Sequence, residues 1–260
     1  MPATRSAGWF PACAFALLAA LLPPAGRAAP PPPQPVVLIA AEDDWYPYSA
    51  EQDGRPTGYA VDLVAAIYEA AGARLELISL PYARCMALVD AGKLAGCFDT
   101  PRDRRIETRY LWHDVPLFLA RSQVFAQAGR AHVVTGPVDL EGTRVAITNG
   151  YFYGDEFHLN TRIRQEVVDS DLTALRMLAA GRVDHALVFE QVARYLFRTW
   201  PDLQGRVTAV GSFQDVPIYL SFSRTHPDAP EALRLFNRGM AEIRRNGTRE
   251  RIDRHWQQTP

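Results

Sequence analysis

A strand–helix rhythm runs once along this chain and then restarts, and that repetition limits the fold more than any single motif. "PVVLIAAE" (35–42) is an apolar run ending in an acid, the pattern of a buried strand that opens onto a loop. "YAVDLVAAIYEAAG" sets Val61, Val64, Ile67, Tyr68 and Ala71 at helical spacing and stops at Gly72. "RLELISL" alternates as a strand, "PYARCMALVDAG" starts on a proline and ends at Gly92 as a helix, and "KLAGCF" is a short buried strand. The order starts again with "TRVAITNG" as a strand, "YFYGDEFHL" opening a helix, "TRIRQEVV" a strand and "DLTALRMLAAG" a helix. "VDHALVF" and "EQVARYLFRTW" complete it as strand and helix. Each half holds a short helix closed by a glycine, Gly92 or Gly181, and then a short apolar strand. Alternation of this kind predicts an α/β fold of parallel sheets covered by helices.

Two further segments join the halves. "LFLARSQVFAQ" is long enough to cross from one to the other, and "VPIYLSFSR" returns. The tail sets Leu233, Phe236, Met240 and Ile243 on one helical face and adds a short capping helix. The reading is therefore two βαβ lobes joined by two crossing strands, with residues 36–119 plus 222–260 in lobe 1 and 120–221 in lobe 2. Ligands in open α/β sheets bind beyond the C-terminal strand ends. Two such lobes enclose a cleft that hinge motion can shut.

The start of the chain is of a different kind. Arg5 and the α-amine precede a mostly apolar stretch from Ala7 to Leu22, and Gly26 and Ala28 are the small residues of a cleavage site. The apolar stretch is short of the roughly 20 residues a membrane span needs. Residues 1–28 read as a signal peptide and 29–35 as a proline-rich spacer, which predicts export to the periplasm. In an exported chain the remaining cysteines, Cys85 and Cys97, form an even pair that reads as a disulfide. A net charge of −1 argues against nucleic acid as a partner. The six histidines show no metal-ligand spacing and the chain has no Walker, GxGxxG, GxSxG or HExxH pattern, so neither a metal nor a cofactor is expected.

"WYPYS", "GYAVDLVAAI", "LVDAGKLAG", "DLEGTRVAITNGY", "LAAGRVDHALV" and "NGTRERIDRHW" follow one another from Val36 to Trp256. In this order the chain resembles the periplasmic solute-binding proteins of polar amino-acid ABC transporters, the family 3 type. The resemblance implies a Venus-flytrap fold, a monomer that binds a small polar solute such as an amino acid or related carboxylate, and a membrane permease as partner. It places Trp45, with Tyr46 beside it, against the ligand, and leaves Tyr48 to packing. It also places a carboxylate-gripping arginine after the third strand. A guanidinium fork matches a carboxylate bidentately, and the stretch Asp99, Thr100, Pro101, Arg102, Asp103, Arg104, Arg105 offers Arg102 first and Arg105 second, with Asp99 and Thr100 facing the ligand. The family's usual Thr-Pro-Glu-Arg is not reproduced here, so the register stays open. Arg104 and Arg109 read as an ion-paired or solvated face, and Arg84 as either a cleft residue or a helix-surface one.

From the second lobe the resemblance draws Glu190 as the partner of the ligand's ammonium, one residue later than the family's spacing. It also draws the turn at Gly150 and Tyr151, whose N–H groups at a helix start suit an anion. Tyr151 and Phe152 stand where the family has a hydroxyl residue, which implies a bulkier, more aromatic pocket. Two other functions fit the same fold: a dehydratase-like periplasmic enzyme acting on a cyclic carboxylic acid, in which Glu190 beside an arginine serves as general base, and a ligand-sensing domain. Binding without catalysis needs the fewest assumptions.

Overall fold

A computed structural model describes residues 34–130 and 132–258, apart from the side chains of Gln214 and Gln258, together with residues 1–3 and 8. The signal peptide, its cleavage site and most of the proline-rich spacer lie outside the described residues.

The strands are β1 (Val36–Glu42), β2 (Asp44–Trp45), β3 (Ser49–Gln52), β4 (Arg55–Thr57), β5 (Arg74–Leu80), β6 (Gly96–Pro101), β7 (Tyr110–Trp112), β8 (Phe118–Gln127), β9 (Arg144–Thr148), β10 (Arg164–Val168), β11 (His185–Phe189) and β12 (Val207–Ser223). The helices are α1 (Tyr59–Ala70), α2 (Tyr82–Asp90), α3 (Asp155–His158), α4 (Asp171–Ala179), α5 (Glu190–Thr199), α6 (Ala229–Arg245) and α7 (Thr248–Gln258). Among the described residues no helix is long and apolar enough to cross a membrane.

Nine strands make one curled sheet in the order β10-β9-β11-β8-β12-β6-β1-β5, with β7 also paired to β12, while β2, β3 and β4 form a small separate sheet. The expected rhythm is present in both halves: β1, β5 and β6 run parallel to one another, as do β9, β10 and β11. The antiparallel pair β8 and β12 sits between the two sets. β12 begins nine residues before "VPIYLSFSR". It pairs with β8 over its first part and with β6 and β7 over its last, with register breaks at Ala209/Gly211 and Ser212/Asp215. Those breaks let one 17-residue strand follow the curl of the sheet. "YFYGDEFHL" yields only the four-residue α3, because Gly154 precedes it in a conformation (φ 104°) that a helix cannot extend through.

α6 buries Ala232, Leu235, Phe236, Gly239, Met240 and Ile243 along one stripe. A Cβ at Gly239 would meet the Ile67 carbonyl oxygen at 1.8 Å, so the glycine permits α6 to cross α1 directly against its backbone.

Cys85 on α2 is bonded to Cys97 on β6, with 5.9 Å between their Cα atoms. The bond ties the helix to the strand that leads into the cleft. Replacing both cysteines by alanine is expected to lower the unfolding free energy by about 3 kcal/mol in the chain-entropy picture. Urea denaturation with matched m-values checks this, and an unchanged midpoint would deny the bond a stabilising role.

Candidate functional site

The residues at the C-terminal ends of the parallel strands converge on one buried chamber. β1 ends in Glu42, β6 carries Asp99 and β11 ends in Phe189, while Trp45, Tyr82, Tyr151, Phe152 and Ile218 close the walls. Both halves contribute: Glu42, Trp45, Tyr82 and Asp99 come from the first run of elements, Tyr151, Phe152 and Phe189 from the second. The remaining space is about 10 Å³, room for no more than a water molecule. The cleft is described here in its shut form.

Aromatic rings form the walls. Trp45 packs against Tyr48 at 4.4 Å between centroids and meets Phe189 edge-on at 5.1 Å and Tyr151 at 6.1 Å. Tyr48 stacks on Phe118 with planes 5° apart, and both line a separate groove of about 750 Å³. These contacts exclude water, and that exclusion sets the electrostatics.

Three carboxyl groups are buried in or directly behind this region. Glu42 is 4 % exposed, and its Oε1 accepts a hydrogen bond from the Tyr151 hydroxyl, a contact that ties one half to the other. Asp99 is 3 % exposed; the Ser49 hydroxyl lies beside it but donates to the Glu42 carbonyl, and among the described residues neither Asp99 oxygen is left with a hydrogen-bond partner of good geometry. Asp171, at the start of α4, accepts from the Thr148 hydroxyl at 2.6 Å through one oxygen and leaves the other unpartnered. Burial raises all three above the ordinary carboxylate range, Asp99 to about 8 and Asp171 to about 7. Glu42 is pushed up first by burial and then by the Asp99 charge. Asp99 also holds φ at 68°, a left-handed conformation that Asp and Asn tolerate better than other side chains. Trp45 adds a buried indole N–H with no acceptor. Unpaired buried groups of this kind each cost about 1–3 kcal/mol, and here they cluster where the two halves meet.

The residues expected from the sequence divide into two groups. Trp45, Asp99 and Tyr151 line the chamber. The arginines lie elsewhere. Arg102 pairs with Glu107 at 2.7 Å, with its guanidinium about 6 Å from the Trp112 and Tyr219 rings. Arg105 grips Asp103 through Nε and Nη2 and lies over the Phe152 ring at 4.7 Å. Arg109 pairs with Asp90, and Arg84 and Arg104 are exposed. The cause is local: every arginine of the stretch that forms an ion pair has found an acid on its own half of the molecule. Thr100 is buried against Ser221, Met86 and the Cys97 carbonyl. Glu190, first residue of α5, is held by Arg194 at 2.6 Å. Gly150 packs against the Tyr82 ring and lines a neighbouring cavity with Arg105 and Arg109. Tyr46 stands outside the chamber, 4.5 Å from Tyr195, in a groove of about 750 Å³. Glu42 and Phe189 were not singled out from the sequence. The available signal was positional, each being the last residue of an apolar strand.

Comparison with known proteins places this geometry. The family described as bacterial extracellular solute-binding proteins, family 3, matches residues 37–259. Among solved structures, a histidine kinase sensor domain with similarity to periplasmic binding proteins aligns at 24 % identity over 86 % of this chain and 96 % of that one, with a TM-score of 0.74. An ancestral arginine-binding protein bound to arginine aligns at 20 % identity over 86 % and 98 %, with a TM-score of 0.73. The arginine-, lysine-, histidine-binding protein ArtJ from the thermophilic bacterium Geobacillus stearothermophilus aligns at 17 % over 85 % and 94 %, with a TM-score of 0.71. Among the curated proteins none matches. The structural likenesses establish the two-lobed fold.

Proposed function

We propose, for a chain that belongs to the bacterial extracellular solute-binding proteins of family 3, that it captures a small polar or charged solute in the periplasm and delivers it unchanged, as a monomer, to the permease of an ABC transporter. Residues 36–119 plus 222–260 and residues 120–221 act as the two lobes, with β8 and β12 as the hinge between them. The observation that carries this reading is Asp99: a buried carboxyl with two unpaired oxygens, in a chamber walled by both halves. A group so placed destabilises the empty shut form and is satisfied only when something binds. Trp45, Asp99 and Tyr151, with Glu42 and Phe189, make the contacts, while Arg105 and its Asp103 partner stand at the rim.

The test is a thermal-shift screen of amino acids, organic acids and amines. A true solute at 100 times its Kd adds about 2.7 kcal/mol to stability, and mass spectrometry recovers it unaltered after prolonged incubation. Chemical conversion of the bound compound would replace this reading by the enzymatic one.

A further inference from the structure

We propose that the cleft takes a small organic ammonium ion that carries no carboxylate of its own. This deepens the reading above and rests on it. In an amino-acid site the ligand presents one negative and one positive group, and the protein answers with a cation and an anion. This chamber offers carboxyl groups and no basic side chain. Among the described residues, no arginine or lysine lines it, while Glu42 and Asp99 do. The Arg105 guanidinium, which packs on the Phe152 ring of the chamber wall, is occupied by Asp103.

The cavity that adjoins Glu42 carries the same sign. A cavity of about 630 Å³ shares Glu42, Tyr82 and Tyr151 with the chamber, and Asp43, Asp44, Glu51 and Asp169 also line it, with no basic residue among its walls. Carboxylates in a cleft with low-dielectric walls focus the field and concentrate cations at its mouth. Asp171 stands behind Thr148, which lines the same cavity. On another side the chamber shares Tyr82, Pro101 and Phe152 with the cavity that holds Arg105 and Arg109, so its acidic neighbour is the one that adjoins Glu42.

The inner groups then define what is recognised. Asp99 presents two free acceptor oxygens at 3 % exposure, a match for ammonium N–H donors. Glu42 Oε1 becomes free to accept from a solute when the Tyr151 hydroxyl moves aside, and with 10 Å³ of space some wall of the chamber must move for any solute to enter. The Trp45, Tyr82, Tyr151 and Phe189 rings supply faces that favour a cation over a neutral group. A ligand carboxylate in this position would face Glu42 and Asp99 with no counter-charge, an arrangement that disfavours binding.

Titration calorimetry on the full mature chain at pH 8 decides the question with stated probes: 1,4-diaminobutane and 2-aminoethanol as ammonium ions, succinate and glutamate as carboxylates, glutamine and arginine as zwitterionic acids, and calcium chloride as a bare cation. Saturable one-to-one binding of an ammonium probe, with none by succinate or glutamate, is the expected result. Asp99→Asn keeps the shape and suits φ 68°, and should weaken that binding by about 30-fold. Glu42→Gln should weaken it similarly, while Arg102→Ala, outside the chamber, leaves it unchanged. Tight binding of a carboxylate or of an amino acid, or a response to calcium alone, overturns the ammonium assignment and leaves solute capture standing. Silence from every probe here and from the wider thermal screen removes solute capture itself, and this inference with it.

Discussion

Between about pH 5 and pH 7 the ligand-free protein is expected to lose about 3 kcal/mol of stability through Asp99 alone, one proton's worth at roughly 1.4 kcal/mol per pH unit. The sign follows from the direction of the shift. Burial raises the folded carboxyl from 3.8 to about 8, so the folded chain keeps a proton that the unfolded chain gives up above about pH 4. Stability is therefore full below the unfolded value, falls as pH rises between the two values, and levels off above the folded one. Asp171, raised to about 7, and Glu42, raised by burial and by Asp99, pull in the same direction. Asp99→Asn removes one proton from the slope and leaves a neutral side chain at ease in the left-handed backbone. Urea denaturation of the native and variant chains at the two pH values measures the difference. Parallel pH profiles would mean that Asp99 is already ionised and solvated in the folded protein. Because opening the cleft hydrates the same carboxyl, the loss is bounded by the cost of opening. Small-angle scattering across the titration should then show the native chain expanding at high pH and the variant remaining shut.

How much of this was legible beforehand depends on what each signal measures. Periodicity records which face of an element is buried, and α1, α2, α4, α5 and α6 all stand where apolar spacing placed them. It cannot register strands too short to show a period. The small sheet from Asp44 to Thr57 leaves no such signal, because its three strands hold two to four residues each. The first part of β12 escaped for another reason. Gly211, Ser212 and Asp215 look like loop, and only pairing with β8 across two register breaks draws them into the sheet. At the site, the density of arginines in "TPRDRRIETR" is the most visible signal in the sequence, yet none of them lines the chamber among the described residues. The interleaved acids Asp103 and Glu107 neutralise those arginines locally, a pairing that linear order suggests but cannot weigh. Asp99 could be named because it follows a buried strand. That it would be buried beside Glu42, on the neighbouring strand of the same half, depends on pairing between segments more than fifty residues apart.

Trp45 offers the second large effect, because it serves both the core and the site and the two roles can be separated. At 2 % exposure, among Tyr48, Phe118, Tyr151 and Phe189, its truncation to alanine should cost about 3–5 kcal/mol, the usual range for a large buried aromatic. Trp45→Phe is the informative partner. It retains most of the apolar wall and deletes the unpartnered indole N–H, whose burial is itself unfavourable by about 1–3 kcal/mol. The smaller ring's cavity and the relieved N–H act in opposite directions, so the phenylalanine variant should unfold within about 1 kcal/mol of the native chain. Its affinity for the solute found by screening should nevertheless fall about tenfold, since the phenyl ring covers less of the solute and offers a cation a weaker face than indole. Chemical denaturation and calorimetry on the same two variants read the roles independently. If Trp45→Phe binds as the native chain does and loses as much stability as the alanine variant, Trp45 belongs to the core alone, and recognition in the chamber falls to Glu42, Asp99 and the remaining rings.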